Sequence, residues 1–158
     1  MEQQNSMELS PETFARMKAE LEELTTNGRT EMATRLQRAR ELGDLKENSE
    51  YHSAKEAQGL MEARIRQLQH NVKNAVVRDQ PADADSVIPG VIVKVKEGDH
   101  TDEYLVASTN EEKLPGLRTL TTGSPLGKAL IGRTVGDKVE IEAPGGHFTV
   151  EVLAIRSA

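Results

Sequence analysis

Residues 41–52 read ELGDLKENSEYH, and the Gly43-Asp44 pair at their centre is a turn signal between two helical patterns. Before it, apolar residues fall at Phe14, Met17, Leu21 and Leu24, then again at Met32, Leu36, Ala39 and Leu42. After it, one line runs Tyr51, Gln58, Ile65, Val72 and a second runs Ala54, Met61, Leu68, Ala75. Repeats of this spacing make the seam of a left-handed coiled coil. Folding the chain at Gly43-Asp44 places residues whose numbers sum to about 88 opposite each other. Phe14 then falls near Ala75, Met17 near Val72, Leu21 near Leu68 and Leu24 near Ile65, so the two seams register as an antiparallel hairpin.

The first arm opens at Ser10-Pro11, a favoured N-cap followed by a favoured first helical residue. Its seam blurs at Thr25-Thr26-Asn27-Gly28 and resumes beyond, which reads as a stutter in one helix, since an interior Gly costs only about 1 kcal/mol. The second arm is expected from about Lys46 to Val77. Arms of this size are ~45–50 Å long at a rise of about 1.5 Å per residue, which carries the turn far from the helix bases.

Composition agrees with a thin solvated element beside a small core. Of 158 residues, 36% are hydrophobic, 29% charged and only 3% aromatic, with no Trp, which argues against one large globular core. The formal charge of −6 gives no global cationic face, so free-standing DNA or RNA binding is not expected. With no cysteine there are neither disulfides nor thiolate metal sites. Residues 1–10 lack a basic n-region and an apolar run, so no signal peptide is expected, and no stretch reaches the ~18 apolar residues of a membrane span. A soluble intracellular protein is the expectation.

Residues 78–90 (RDQPADADSVIPG) read as a linker. Beyond them the period changes to that of strands, at Val91–Val95, Glu103–Ala107, Lys138–Glu142 and Phe148–Leu153, with Pro144-Gly145-Gly146 as a hairpin turn. Ser124-Pro125-Leu126 opens a short helix that Gly132 closes. The chain is therefore expected to be α+β: a coiled-coil hairpin over 1–77 with an acidic tip at 43–51, a linker over 78–90, and a small antiparallel-sheet domain with one short helix over 91–158.

The tip concentrates Glu41, Asp44, Glu47 and Glu50 around one cation, Lys46. Local physics favours a capping box, with Asp44 as N-cap and Glu47 at N3, and Glu50 favoured by the helix dipole. Two facts weaken capping as the whole account. Glu41 sits at a helix C-terminus, where the dipole disfavours an anion. A cap also needs no long rod behind it. The functional alternative is metal capture: hard cations such as Mg²⁺ accept one or two protein carboxylates and fill the rest with water or phosphate. Such a pair is an incomplete site that would complete one elsewhere.

The tip and second arm, ELGDLKENSEYHSAKEAQGLMEARI, together with SPLGKALIGRTVGD and APGGHFTVEVL, closely resemble the bacterial Gre transcript-cleavage factors, the GreA branch best. The resemblance covers nearly the whole chain. It implies a coiled-coil hairpin joined to an FKBP-like domain that binds RNA polymerase at the rim of its secondary channel. It further implies that the hairpin enters the channel and that Asp44 and Glu47 help hold Mg²⁺ shared in trans with the polymerase active centre, where the backtracked RNA 3′ end is cleaved. The catalytic centre would be the polymerase's, so the chain would be no enzyme itself. By motif position Asn48, Glu50 and Tyr51 would support the tip. Arg35, Arg38, Arg40 and Lys55, with Arg64 and Arg66, read either as a solvated coiled-coil face or, by the resemblance, as a basic patch near the RNA. Ser124, Pro125 and Leu126 read either as a helix start or as part of the polymerase-facing surface. A monomer in the cytoplasm, reaching the nucleoid through polymerase, is implied.

The other reading is a Gre-like channel occupant that modulates polymerase without stimulating cleavage; relatives of that kind have altered tips, and here the acidic pair is intact. A generic coiled-coil adaptor explains the rod but not the tip. His52, His70, His100 and His147 show no metal-binding spacing, and His52 is expected to orient groups near the tip or to be solvated.

Overall fold

The computed structural model describes residues 7–79 and 84–158. Residues 1–6, read above for a leader, and 80–83, with Pro81 of the expected linker, lie outside the described residues. The chain forms two compact units, Phe14–Asn74 and the described residues up to Thr13 together with Ala75–Ala158.

In the helical unit the first arm runs as α1 (Pro11–Glu23), a π-helical segment (Leu24–Gly28) and α2 (Arg29–Arg40). Ser10 caps α1: its Oγ accepts the Thr13 N–H at 3.2 Å. The expected stutter takes the form of the π turn. Its loosened carbonyls are met by hydroxyls, with Thr25 Oγ1 donating to Leu21 O at 2.8 Å and Thr26 Oγ1 to Glu22 O at 2.7 Å. The second arm is α3 (Ser49–Asn74), whose 26 residues span ~39 Å. Seam residues Met17, Leu36, Ala39, Ala54, Ile65 and Leu68 are buried. Leu42 is not: it is 70% exposed, because α2 ends at Arg40 and the chain has already turned away from the seam.

The arms are tied by two bidentate ion pairs. Arg64 donates to both oxygens of Glu20 at 2.7 and 2.8 Å, and Arg29 to both of Glu62 at 2.9 and 3.1 Å. The Arg64 hydrogen bond holds the Glu20 carboxyl below its usual range, and Arg29 does the same for Glu62, whose hydrogen bond and then charge in turn raise the Arg29 guanidinium.

The expected second helix is corrected at both ends. It starts at Ser49, and it stops at Asn74 because Ala75–Val77 forms strand β2, parallel to β1 (Met7–Leu9) with Met7 opposite Ala75. The Arg78 N–H continues that ladder to Leu9 O at 3.0 Å. The observed break between units therefore falls before Ala75 instead of after residue 77.

The second unit holds a five-stranded sheet of β3 (Val91–Glu97), β4 (His100–Ala107), β5 (Arg118–Thr121), β6 (Lys138–Ala143) and β7 (Gly146–Ser157), in the order β5-β4-β3-β7-β6. The sheet is predominantly antiparallel, as expected, with one pair, β4–β5, running parallel. Four residues without alternation gave β5 no strand signal. Central β3 buries Val91, Ile92 and Val93 consecutively, so its start is covered on both faces, while Lys94 and Lys96 leave the second face exposed further along. Its Val91, Val93 and Val95 cluster with Val106, Leu120, Leu130, Val139, Ile141, Val150 and Val152.

Helix α4 (Pro125–Leu130) carries the expected cap, with Ser124 Oγ accepting the Gly127 N–H at 3.1 Å. Gly127 is required by space: a Cβ there would sit 1.9 Å from the Thr121 carbonyl oxygen. The described end of the expected linker is built into this unit. Val87 is fully buried, its N–H bonds Arg133 O at 2.8 Å, and Ser86 bridges to Thr134. Among the described residues no helix is long and apolar enough to cross a membrane.

Candidate functional site

The hairpin tip is built by short-range ties. At the end of α2 the Glu41 N–H bonds Gln37 O at 3.2 Å and the Leu42 N–H bonds Ala39 O at 3.1 Å. Gly43 then takes a φ of 138°, which side-chain-bearing residues rarely adopt, although nothing stands within 4 Å of where its Cβ would lie. Asp44 Oδ1 accepts the Lys46 N–H at 3.1 Å, an Asx turn.

The helix cap is Asn48 and not Asp44. Asn48 Oδ1 accepts the Tyr51 N–H at 3.1 Å, and the His52 N–H bonds Asn48 O at 3.1 Å. The Asn48 amide also donates to Ala39 O, closing one arm on the other. This corrects the capping box, because three residues beyond the true cap stands Tyr51, which has no carboxylate. The His52 ring meets the other side of the turn, with Nε2 3.2 Å from Lys46 O. Tyr51 packs edge-on against His52 at 5.9 Å between ring centroids, and the Arg40 guanidinium lies 5.8 Å from the Tyr51 centroid.

Asp44, Glu47 and Glu50 are all exposed, and no ion pair among the described residues engages them. Among the described residues no group of three or more His, Cys, Asp or Glu could hold a metal ion. The carboxylates of Asp44 and Glu47 are hard oxygen donors open to solvent, a set that fits Mg²⁺ drawing the rest of its coordination from elsewhere.

The structure separates the basic residues. Arg35 and Arg38 line one groove of about 480 Å³ with Ala39, Leu42 and Glu50, and Arg35 Nη2 donates to Ser53 Oγ at 3.3 Å. Arg40 covers Tyr51, Lys55 donates to Gln58 at 3.0 Å, and Arg64 is committed to Glu20. In the sheet unit, Ser124 is occupied as a cap, Leu126 packs on the core, and Pro125 is exposed beside Lys128 in a cleft that Glu140 and Glu142 also line. The other histidines stand apart: His70 beside Asn74, His100 3.5 Å from Asp102, His147 3.7 Å from Glu140 and Glu142. Nearby, burial and then the Asp102 charge push the Tyr104 hydroxyl pKa up.

Residues 7–77 match the family described as transcription elongation factor, N-terminal, and residues 81–157 match transcription elongation factor, GreA/GreB, C-terminal. The chain belongs to the GreA branch of the Gre transcription elongation factors. The GreA of Oenococcus oeni is 39% identical to it over 163 residues, covering 100% of this chain and 99% of that protein. The GreA of Streptomyces avermitilis is 41% identical over 149 residues, covering 92% and 90%. Among solved structures, Gfh1 of Thermus thermophilus, a GreA homologue, is 25% identical, covers 97% of this chain and 100% of that one, and superposes with a TM-score of 0.46.

Gre membership accounts for the quoted motifs. It left two features of the tip unread. The capping role of Asn48 had a local signal, since Asn is as good an N-cap as Asp. The His52 contact with Lys46 had none, because it depends on how the turn is wound.

Proposed function

We propose that the hairpin enters the secondary channel of bacterial RNA polymerase and that Asp44 and Glu47 hold there a Mg²⁺ ion shared with the polymerase active centre. The backtracked RNA 3′ end is then cut and elongation resumes. The observation that carries this reading is the placement of two exposed carboxylates on a turn held by Asn48, at the end of a helix of ~39 Å. When bound, a cation held this way would supply an activated hydroxide, while the metal of the polymerase itself would stabilise the leaving oxygen. Asp44 and Glu47 would position that ion, and the basic side chains near the tip would offset the phosphate charge. Asn48 and Tyr51 hold the tip, Glu50 adds negative charge behind it, and Arg35, Arg38, Arg40 and Lys55 face the extruded RNA. The surface around Ser124, Pro125 and Leu126 meets the polymerase. The protein acts in the cytoplasm as a monomer and reaches the nucleoid through polymerase.

The test is RNA shortening in a stalled, backtracked elongation complex with Mg²⁺. Asp44→Asn and Glu47→Gln are expected to lower stimulation by about a hundredfold or more, the scale of removing one charge-stabilising group from a reaction centre, while competing normally for polymerase. Full stimulation by either variant would overturn the ligand assignment. Normal polymerase binding with no shortening by the unaltered protein would leave a channel regulator instead.

A further inference from the structure

We infer that His52 is a positioning residue for the acidic pair, acting through the peptide of Lys46; this rests on the proposed role of Asp44 and Glu47. The two peptide groups that flank the Lys46 Cα are each held. The Lys46 N–H is donated to Asp44 Oδ1 at 3.1 Å, and the Lys46 carbonyl lies 3.2 Å from His52 Nε2. Lys46 sits between the two carboxylates in sequence, one residue before Glu47 and two after Asp44. The first contact fixes the peptide plane before Lys46 and the second the plane after it, so together they set the direction in which the chain leaves Asp44 and enters Glu47.

His52 is well placed for the task. It lies in the first turn of α3, a rigid element capped by Asn48, and its own N–H is bonded to Asn48 O at 3.1 Å. Its ring makes a T-shaped contact with Tyr51, whose centroid lies 5.8 Å from the Arg40 guanidinium of the other arm. The carbonyl of Lys46 can only accept, so Nε2 is the donor, and either the Nε2–H tautomer or the imidazolium can serve. Without this bond the 44–47 turn keeps only the Asx contact on one side. The two carboxylates would then be held less firmly relative to each other, and a shared cation would be captured less readily.

The decisive experiment is a Mg²⁺ titration of RNA shortening in the backtracked complex, using the full chain with His52, His52→Ala and His52→Gln. The glutamine amide nitrogen reproduces the reach of Nε2 as a donor. His52→Ala is expected to raise the Mg²⁺ concentration for half-maximal stimulation about two- to tenfold, the range of one hydrogen bond. Polymerase competition and hairpin melting should stay unchanged, and His52→Gln should restore most of the loss. Faster amide exchange at Lys46 and Glu47 in His52→Ala is the accompanying sign. An unaltered Mg²⁺ requirement in His52→Ala, or a glutamine variant as poor as alanine, would overturn the inference. Should Asp44→Asn retain full stimulation, the underlying ligand assignment falls; should it lose stimulation while His52→Ala does not, only the role of His52 falls.

Discussion

Asn48 and Asp44 divide the labour at the tip. Asn48 is half-buried, caps α3 and bonds across to Ala39, whereas Asp44 is exposed and holds one neighbouring N–H. Asn48→Ala is therefore expected to destabilise the hairpin by about 1–2 kcal/mol, as loss of a good N-cap does. Asp44→Ala should stay within about 0.5 kcal/mol, as an exposed substitution does. Thermal melting followed by helical circular dichroism checks the order; a larger loss for Asp44→Ala would return the cap to Asp44. The acidic tip was legible in the sequence because its charge is unusual at a bend. The identity of the cap was not. Asp44-to-Glu47 and Asn48-to-Tyr51 have equal spacing, and only the approach of the opposite arm, with Ala39 O in reach of Asn48, decides between them.

Among the elements, the first arm shows what periodicity reveals and what it hides. Leu24, Gly28, Met32 and Leu36 advance by four where a heptad would alternate three and four, so one extra residue accumulates. A stutter was thus legible, but its absorption into a π turn required the hydroxyls of Thr25 and Thr26 to bond the preceding turn. Nothing in the periodicity pairs Glu62 or Arg64 with the first arm, and Arg64 reads from sequence as part of a solvated face or a basic patch. In the hairpin they pair across to Arg29 and Glu20, on either side of that turn. Both glutamates are held below the ordinary value of 4.5, so the folded form binds protons less readily than the unfolded one. Their contribution is complete above pH 4.5 and is lost as pH falls through the lowered values. Hairpin melting temperature is expected to fall on acidification below that point, and more gently in a Glu20→Gln, Glu62→Gln variant. High salt should reduce the difference between the two proteins at neutral pH, since these pairs are partly exposed. Parallel pH profiles for the two proteins would show that the pairs contribute nothing measurable.

Across the whole molecule, the division into helices and then strands was legible, because the apolar period changes from that of helices to that of strands after residue 90. What joins the chain's distant segments was not. β1 and β2 are three residues each and pair across most of the helical sequence, Met7 with Ala75. Glu112 sits in a loop that reads as ordinary polar connection, yet it is 2% exposed. Its carboxylate receives Arg78 Nη2 at 2.8 Å and the Ser10 N–H, while its carbonyl receives Thr119 Oγ1 at 2.5 Å. Arg78 in turn donates to Glu8 O at 3.1 Å, so one buried pair gathers β1, the end of β2 and the loop before β5. Taking one partner from a buried pair leaves an uncompensated charge, which costs far more than the pair gains over an apolar replacement. Glu112→Ala is accordingly expected to cost about 3–5 kcal/mol in urea unfolding of the sheet unit, with Glu112→Gln intermediate because the amide still accepts. Glu97→Ala, an exposed acid at the end of β3, serves as the control and should stay within about 0.5 kcal/mol. The midpoint should shift with little change in slope, since the same surface is exposed on unfolding. A loss under about 1 kcal/mol for Glu112→Ala would mean that Arg78 finds solvent once its partner is gone, and that the β1–β2 ribbon is held by its own ladder alone.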